Sequence, residues 1–158
     1  MFWHISKEEY QSSKAYLDVK LVLRSITKES PFSSIHEQVD FNIVLINTNE
    51  IVGKCDLRLG MNEELYYAGN IGYRIYEKYR GHRYAYQACL ILFEIAKEKY
   101  GMKRLLITCS PDNYASKKTC EYLGGILLKV CDVPYDHWLY RRGETKKCIY
   151  EYNLESLL

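Results

Sequence analysis

The sequence predicts an α/β protein in which helices cover a mixed β-sheet. Predicted strands follow one another in the first third of the chain and alternate with helices in the middle, an order typical of such a sheet. Within Gly69–Ala88 the apolar residues change from a period of two to a period of 3.6, so a strand passes through a tight turn into a helix. The 158 residues are expected to form one domain, 1–158, around a single core.

Composition limits the classes of function. A net charge of +2, from 22 basic and 20 acidic residues, is too balanced for the broad basic surface of a nucleic-acid-binding protein. No apolar run approaches the roughly 20 residues of a membrane span, and residues 1–4 lack the regions of a signal peptide. We therefore expect a cytoplasmic protein that has neither nucleic acid nor membrane as a partner.

The six cysteines are widely spaced along the chain. None of them forms a Cys-x-x-Cys pair, and several lie in otherwise apolar segments. This pattern favours free structural thiols over disulfides or metal ligands. We therefore expect no metal.

The first half of the chain is predicted to contain one helix and three strands. Residues Ser6–Tyr16 are polar, and Ser6 and Glu9 have the spacing of a capping box, which favours a helix. A loop with a proline follows over Thr27–Gln38. Strands rich in apolar and β-branched residues are predicted over Val19–Ile26, Phe41–Ile46 and Ile51–Leu59, the last two forming a hairpin.

The second half alternates strands and helices. Ile71, Tyr73 and Ile75 give the strand that leads into the central turn, and the long helix after the turn ends at Gly101. Further strands are predicted over Lys103–Cys109, Ile126–Val133 and Lys147–Asn153, with a helix over Tyr114–Leu123 and a loop over Pro134–Thr145.

The central turn reads Tyr79-Arg80-Gly81-His82-Arg83. Backbone N–H groups at a helix N-terminus, flanked by guanidinium groups, form a place where a phosphate can bind. An ordinary solvated basic turn is the alternative.

This order of segments resembles the GNAT superfamily of acyl-coenzyme A N-acyltransferases over roughly residues 18–154. The matching features are the strand, the Arg-x-x-x-x-Ala turn, the amphipathic helix, and the Asn-x-x-Ser helix that ends in Leu-Gly before two strands. Ile-Gly-Tyr at 71–73 and the Gly-His-Arg-Tyr-Ala turn are similar to the branch that includes ribosomal-protein N-acetyltransferases. The resemblance implies a GNAT-like sheet of about six or seven strands and direct acetyl transfer from acetyl-coenzyme A to a primary amine.

By the same resemblance, the cofactor would contact the strand before the turn, the turn itself and the start of the Asn-x-x-Ser helix. If the strands ending at Tyr76 and Cys109 diverge, exposed backbone groups could pair with the pantetheine arm, and a strand N–H could polarise the thioester carbonyl. The expected contact residues are Tyr73, Ile75, Arg80, Gly81, His82, Arg83, Tyr84, Ala85, Asn113 and Ser116.

Arg83 departs from the family turn, which has glycine at this position. Glycine permits a positive φ or a close backbone approach. An arginine is expected to keep the loop only with a negative φ and a side chain that points away. Its guanidinium could then add a charge-assisted contact to a cofactor phosphate.

The catalytic residues also depart from the resemblance. The family's usual acid is a tyrosine seven residues after the asparagine, and Cys120 stands there. A thiol kept neutral by burial could protonate the leaving sulfur; Tyr122 and a purely structural Cys120 are the alternatives. The family's glutamate base is missing from Gly69–Tyr76. The candidates elsewhere are Asp56, Glu63, Glu64, Asp136 and His137.

Among these bases His137 is preferred, since its unperturbed pKa near 6.5 suits a proton acceptor; a lone loop histidine is more often simply exposed. We therefore predict Cys120 and His137 as the catalytic residues. The loop segment Tyr135–Arg142 is aromatic and charged, which suits either a wall of the acceptor pocket or a homodimer contact. The acceptor would be a small-molecule amine, or a protein N-terminus or lysine. A coenzyme A binding or sensing protein without transferase activity is the alternative function.

Overall fold

The computed structural model describes residues 2–6, 9–14, 16–28 and 37–157, and these residues form nine strands and five α-helices. The strands are β1 (Phe2–Ser6), β2 (Glu9–Ser12), β3 (Val19–Thr27), β4 (Glu37–Leu45), β5 (Ile51–Leu59), β6 (Ile71–Ile75), β7 (Arg104–Cys109), β8 (Ile126–Asp132) and β9 (Lys146–Asn153). The helices are α1 (Glu63–Ala68), α2 (Tyr84–Glu98), α3 (Tyr114–Tyr122), α4 (Trp138–Arg141) and α5 (Leu154–Leu157).

The N-terminal region forms strands, so the helix predicted over Ser6–Tyr16 is wrong. Strand β2 pairs antiparallel with β1 on one side and β3 on the other. Tyr10 and Ser12 are buried and alternate with half-buried residues, and the Tyr10 ring meets Phe41 edge-on with centroids 5.8 Å apart. Burial of every second residue is the pattern of a strand, and the polar composition of this segment concealed it.

The predicted β-hairpin is present within a six-stranded sheet. Its strands lie in the order β1-β2-β3-β4-β5-β6, and each neighbouring pair is antiparallel. Strand β4 begins at Glu37, inside the end of the predicted Thr27–Gln38 loop. Residues 29–36 of that loop lie outside the described residues.

The second half of the chain follows the predicted alternation of helices and strands. Strands β7, β9 and β8 form a separate antiparallel sheet in that order. Three short helices, α1, α4 and α5, had no counterpart in the prediction. Two of them begin at a side-chain cap that was visible in the sequence: Asn62 Oδ1 accepts from Leu65 N at 2.9 Å, and His137 Nδ1 accepts from Leu139 N at 3.1 Å.

Helix α2 supplies much of the core. Its residues from Gln87 to Ala96 are buried, and they pack with the inward side chains of both sheets in one apolar cluster. That cluster includes Phe41, Leu57, Leu105 and Tyr152. The packing fixes the N-terminal end of α2 beside the end of β6.

The two sheets meet at Asn70, which is fully buried. Its backbone N–H donates to Leu106 O at 2.8 Å, and its Oδ1 accepts from Leu106 N at 2.9 Å. Its Nδ2 donates to the carbonyl oxygens of Arg58 and Gly60, each at 2.9 Å. Beyond this point β6 pairs with β5 and β7 pairs with β9, and the described residues of β6 and β7 form no ladder with each other. The strands therefore part after Asn70, which is the divergence on which the expected pantetheine contacts depend.

Candidate functional site

A cavity of about 690 Å³ lies between the turn after β6 and helix α3, and we call it the loop cavity. Nine of the ten residues predicted to bind the cofactor line it, and His82 is the exception. The His82 ring instead stacks on Tyr84 with centroids 5.3 Å apart. The lining residues are Tyr73, Arg74, Ile75, Tyr79, Arg80, Gly81, Arg83, Tyr84, Ala85, Tyr86, Asn113, Ala115, Ser116, Lys118, Thr119 and Tyr122.

Arg83 adopts the left-handed conformation, with φ 62° and ψ 28°, so the expectation of a negative φ is wrong. This backbone costs a non-glycine residue roughly 1–2 kcal/mol. Its guanidinium lies over the Tyr122 ring, 4.7 Å from the centroid, which offsets part of that cost. The side chain therefore spans from the turn to helix α3 along the wall of the loop cavity.

The N-terminus of α2 opens onto the same cavity. The helix has no side-chain cap at Arg83, and the N–H groups of Tyr84, Ala85 and Tyr86 take no part in the hydrogen bonds found in the described chain. Arg80 donates from Nε to Ile75 O at 3.1 Å, which holds its guanidinium beside the turn. Free N–H groups, the helix dipole and two guanidinium groups together suit an anion such as a diphosphate.

A second cavity, of about 420 Å³, adjoins the first at β6, and we call it the sheet cavity. Ile71, Gly72 and Tyr73 line one side of it, and Thr108 to Ser110 line the opposite side, so it occupies the gap where β6 and β7 part. The remaining lining residues are Arg24, Asp40, Lys54, Cys55, Asp56, Arg58, Ala68, Arg74, Asn113, Ser116, Trp138, Leu139, Arg142, Glu144 and Lys147.

The two cavities share four residues, Tyr73, Arg74, Asn113 and Ser116. Asn113 caps helix α3 by accepting from Ser116 N at 3.2 Å, so its structural and its cofactor-binding interpretations are compatible. The Tyr73 hydroxyl is buried without a hydrogen-bond partner among the described residues. Burial raises the pKa of Tyr73, and the nearby Ser116 side chain opposes this increase. A buried, neutral phenol therefore faces the point where the cavities join.

Asp56 is the candidate base that the fold brings to this junction. It lines the sheet cavity on β5, opposite Gly72 of β6. A side chain at position 72 would collide with it, since a Cβ there would lie 2.6 Å from Asp56 Oδ1. Arg58 Nε lies 2.8 Å from Asp56 Oδ2. Burial raises the pKa of Asp56; the Arg58 charge lowers it, and Asp40 adds to the increase.

Cys120, the predicted acid, is fully buried and lines neither cavity. It belongs to the core cluster, and its backbone carbonyl accepts from the Tyr152 hydroxyl at 2.8 Å. All six cysteines are free, and five of them are buried. The Cys120 thiol therefore lies behind the cavity wall, next to Cys109, which lines the sheet cavity.

His137, the predicted base, caps α4 and lines neither cavity. Both ring nitrogens are engaged: Nδ1 accepts from Leu139 N, and Nε2 lies 3.1 Å from Glu64 Oε2. The other sequence candidates, Glu63, Glu64 and Asp136, also lie outside both linings. The loop around His137 nevertheless contributes Trp138, Leu139, Arg142 and Glu144 to the sheet cavity, as a pocket wall would.

Sequence reasoning missed most of the sheet cavity. Its charged side chains come from β3, β4, β5, β6 and β9 and from the segment between α4 and β9. No contiguous motif marks them. The alternation within the predicted hairpin could have placed Lys54, Asp56 and Arg58 on one face of the sheet, away from Cys55 and Leu57.

A family model matches this chain over residues 5–126, and its description is "Acetyltransferase (GNAT) domain". The chain belongs to the GNAT acetyltransferase family. Solved GNAT-type structures resemble it as well. An Agrobacterium tumefaciens acetyltransferase is 25% identical, with a TM-score of 0.56 over 73% of this chain and 61% of its own.

Two further structures carry more specific names. The ribosomal-protein-S5-alanine acetyltransferase of Vibrio fischeri is 15% identical, with a TM-score of 0.59 over 77% of this GNAT chain and 64% of its own. The Microcin C7 self immunity acetyltransferase MccE, solved with acetyl-CoA and AMP, is 19% identical, with a TM-score of 0.54 over 73% and 61%. At these identities the likeness concerns the fold.

The GNAT chain spans 60% to 66% of the length of eight solved structures that it resembles, including those named above. No curated protein matches its sequence significantly. Within the described residues no helix is long and apolar enough to cross a membrane. The same residues contain no group of three or more His, Cys, Asp or Glu side chains placed to hold a metal ion.

Proposed function

We propose that this GNAT protein transfers an acetyl group from acetyl-coenzyme A directly to a primary amine. The loop cavity is the cofactor site and the sheet cavity is the acceptor site. One observation carries this proposal: the two cavities share four lining residues, Tyr73, Arg74, Asn113 and Ser116, and so join there. Direct transfer requires a thioester and an amine side by side, and two cavities that join provide this arrangement.

The residues of the loop cavity fit coenzyme A. The first N–H groups of α2, together with Arg80 and Arg83, would hold its diphosphate. Asn113 and Ser116 line the path from there to the junction. The relative MccE, solved with acetyl-CoA, supports this use of the fold.

Asp56 is proposed as the residue that accepts the amine proton, in place of His137. An amine with a pKa near 10.4 is almost wholly protonated at neutral pH, so the site must remove a proton directly or through water. Asp56 lines the acceptor side of the junction, and its burial makes it a stronger base than an exposed carboxylate.

Tyr73 and Ser116 are proposed as the donors to the departing sulfur, in place of Cys120. Both hydroxyl groups lie where the cavities join. Since the pKa of Tyr73 is raised, its phenol stays protonated and can donate a hydrogen bond as negative charge develops on the sulfur.

The acceptor is proposed to be an amine of a small molecule or of a protein terminus, in the cytoplasm. The ribosomal-protein acetyltransferase among the similar structures suits the second class, and the modest volume of the sheet cavity suits the first.

Thiol release from acetyl-coenzyme A, measured with a panel of primary amines, tests the proposal. We expect turnover with at least one amine. Cofactor binding is checked separately, since ligand at 100 times its dissociation constant should stabilise the protein by about 2.7 kcal/mol. Binding without turnover on any acceptor would make the protein a coenzyme A sensor, and no thermal shift would remove the cofactor assignment.

A further inference from the structure

Two pairs of like charges face each other across strands in the sheet cavity. Lys54 of β5 lies directly opposite Arg74 of β6, and Asp40 of β4 lies directly opposite Asp56 of β5. All four side chains line the sheet cavity. Like charges directly opposite each other destabilise a sheet, so this arrangement calls for a compensating partner.

The basic pair has no such partner among the described residues. Lys54 and Arg74 are exposed and form no ion pair in the part of the chain that the structure describes. Three other cations of the cavity have carboxylate partners: Arg58 lies 2.8 Å from Asp56, Lys147 lies 2.7 Å from Glu144, and Arg142 lies 3.8 Å from the same Glu144. Lys54 and Arg74 therefore form a pair of cations on adjacent strands that lack a carboxylate partner among the described residues.

Arg24 is a further cation of the cavity, and the strand register places it next to Asp40 of the acidic pair. In the β3–β4 ladder Leu23 pairs with Phe41 and Ser25 pairs with Asp40, which leaves Arg24 as the extra residue of a β-bulge. Bulges re-aim side chains, and Arg24 lines the sheet cavity. It too is exposed and has no ion-pair partner among the described residues.

The two pairs are separated by a distance that the strand geometry fixes. Lys54 and Asp56 are two residues apart on β5, so they share a face of the sheet and lie about 7 Å from each other along the strand. Arg58 compensates only one of the two carboxylates of the acidic pair. A ligand with a positive group near the acidic pair and a negative group near the basic pair would therefore relieve the remaining repulsion in both.

We propose that the acceptor is a small zwitterion, a primary amine that also carries a carboxylate or phosphate group. The amine lies at Asp56 and Asp40, beside the junction with the loop cavity, and the anion lies at Lys54 and Arg74. This inference rests on the proposed acetyl transfer, because it names the class of acceptor for the same site.

The test compares matched amines, phosphoethanolamine with ethanolamine and β-alanine with its amide. We expect kcat/KM to be at least about tenfold higher for the zwitterion of each pair, as one charge-assisted contact can supply. Lys54→Gln should reduce this preference about tenfold, whereas Lys54→Arg should retain most of it. Lys103→Gln, which removes an exposed lysine outside both cavities, is the matched control and should leave the preference intact.

A binding measurement separates this inference from the proposed reaction. Phosphoethanolamine is titrated into protein saturated with coenzyme A, so that the loop cavity is filled. Saturable binding that Lys54→Gln weakens supports the zwitterion site, even if no amine is acetylated. Equal kcat/KM for amines with and without the acidic group overturns the inference, while the proposed acetyl transfer is retained. Equal binding of inorganic phosphate also overturns it, as does a clear preference for peptide N-termini over all small amines.

Discussion

The loop cavity and the sheet cavity differ in how the chain builds them. The loop cavity comes from β6, the turn after it, the first turn of α2 and one side of α3, and its proposed chemistry depends on backbone N–H groups and two arginines. The sheet cavity collects charged side chains from five strands and one loop. A site made of backbone groups suits a cofactor common to a family. A site made of side chains can change with each acceptor while the fold is kept.

The largest effect is expected at the acceptor side, from Asp56→Asn. Removing the proton acceptor should lower kcat by about 10²–10³-fold, in the range of general base catalysis, and leave the dissociation constant of coenzyme A unchanged. Steady-state kinetics and calorimetry measure the two quantities. Asp40→Asn removes the same charge one strand farther from β6 and should cost less. An Asp56→Asn enzyme with normal kcat would remove Asp56 from the mechanism.

The pH profile provides a further check on Asp56. Because burial raises its pKa above the ordinary value of about 3.9, the ionised form needed as base is lost at a higher pH than for an exposed aspartate. The wild-type kcat should therefore fall on the acid side of neutrality, and the residual activity of Asp56→Asn should lack this limb.

A smaller effect is expected where the two cavities join. Tyr73→Phe removes the hydroxyl that faces the leaving sulfur, and kcat should fall about 10–100-fold, as for the loss of one donor in a partly hydrated site. Ser116→Ala should also lower kcat. The double variant tests whether the two hydroxyls act together. A higher KM with unchanged kcat in these variants would assign both residues to substrate binding alone.

In the loop cavity, two substitutions of Arg83 separate the contribution of its side chain from that of its backbone conformation. Arg83→Gly keeps the left-handed backbone and removes the side chain, so coenzyme A should bind about tenfold more weakly at low salt and show a smaller difference at high salt. Arg83→Ala removes the same side chain but keeps the backbone strain, and should be less stable than Arg83→Gly by about 1 kcal/mol. Equal affinity in all three proteins would exclude Arg83 from the diphosphate site.

The smallest catalytic effect is expected at Cys120, outside both cavities. Cys120→Ala removes a buried thiol, so thermal unfolding should occur a few degrees lower, as for about 1 kcal/mol in a chain of this size, while kcat at saturating substrates stays within about twofold. Calorimetry and steady-state kinetics compare the variant with wild type. A large loss of kcat at unchanged stability would restore the predicted role of Cys120 as acid.

The contrast between the cavities also explains what the sequence could predict. The turn from Arg80 to Ala85 and the Asn113–Ser116 segment are contiguous, so their spacing alone indicated a cofactor loop, and nine of its ten predicted residues line one cavity. Asp56 and Lys54 acquire their meaning only from the register of β5 against β4 and β6. The amino-acid sequence of each strand alone does not determine that register. His137 had a suitable ordinary pKa, but its cap and its contact with Glu64 could not be read from composition.

Asn70 has a consequence for the cooperativity of unfolding. Around the point where the sheets meet, its side chain satisfies two carbonyl groups and one N–H group that belong to β5, β7 and the segment after β5. This contact links the antiparallel strands of the N-terminal half to the three-stranded sheet of the C-terminal half. The apolar cluster that α2 shares with both sheets links the same two halves. We therefore expect the slowest amide protons of both halves to exchange through the same global opening.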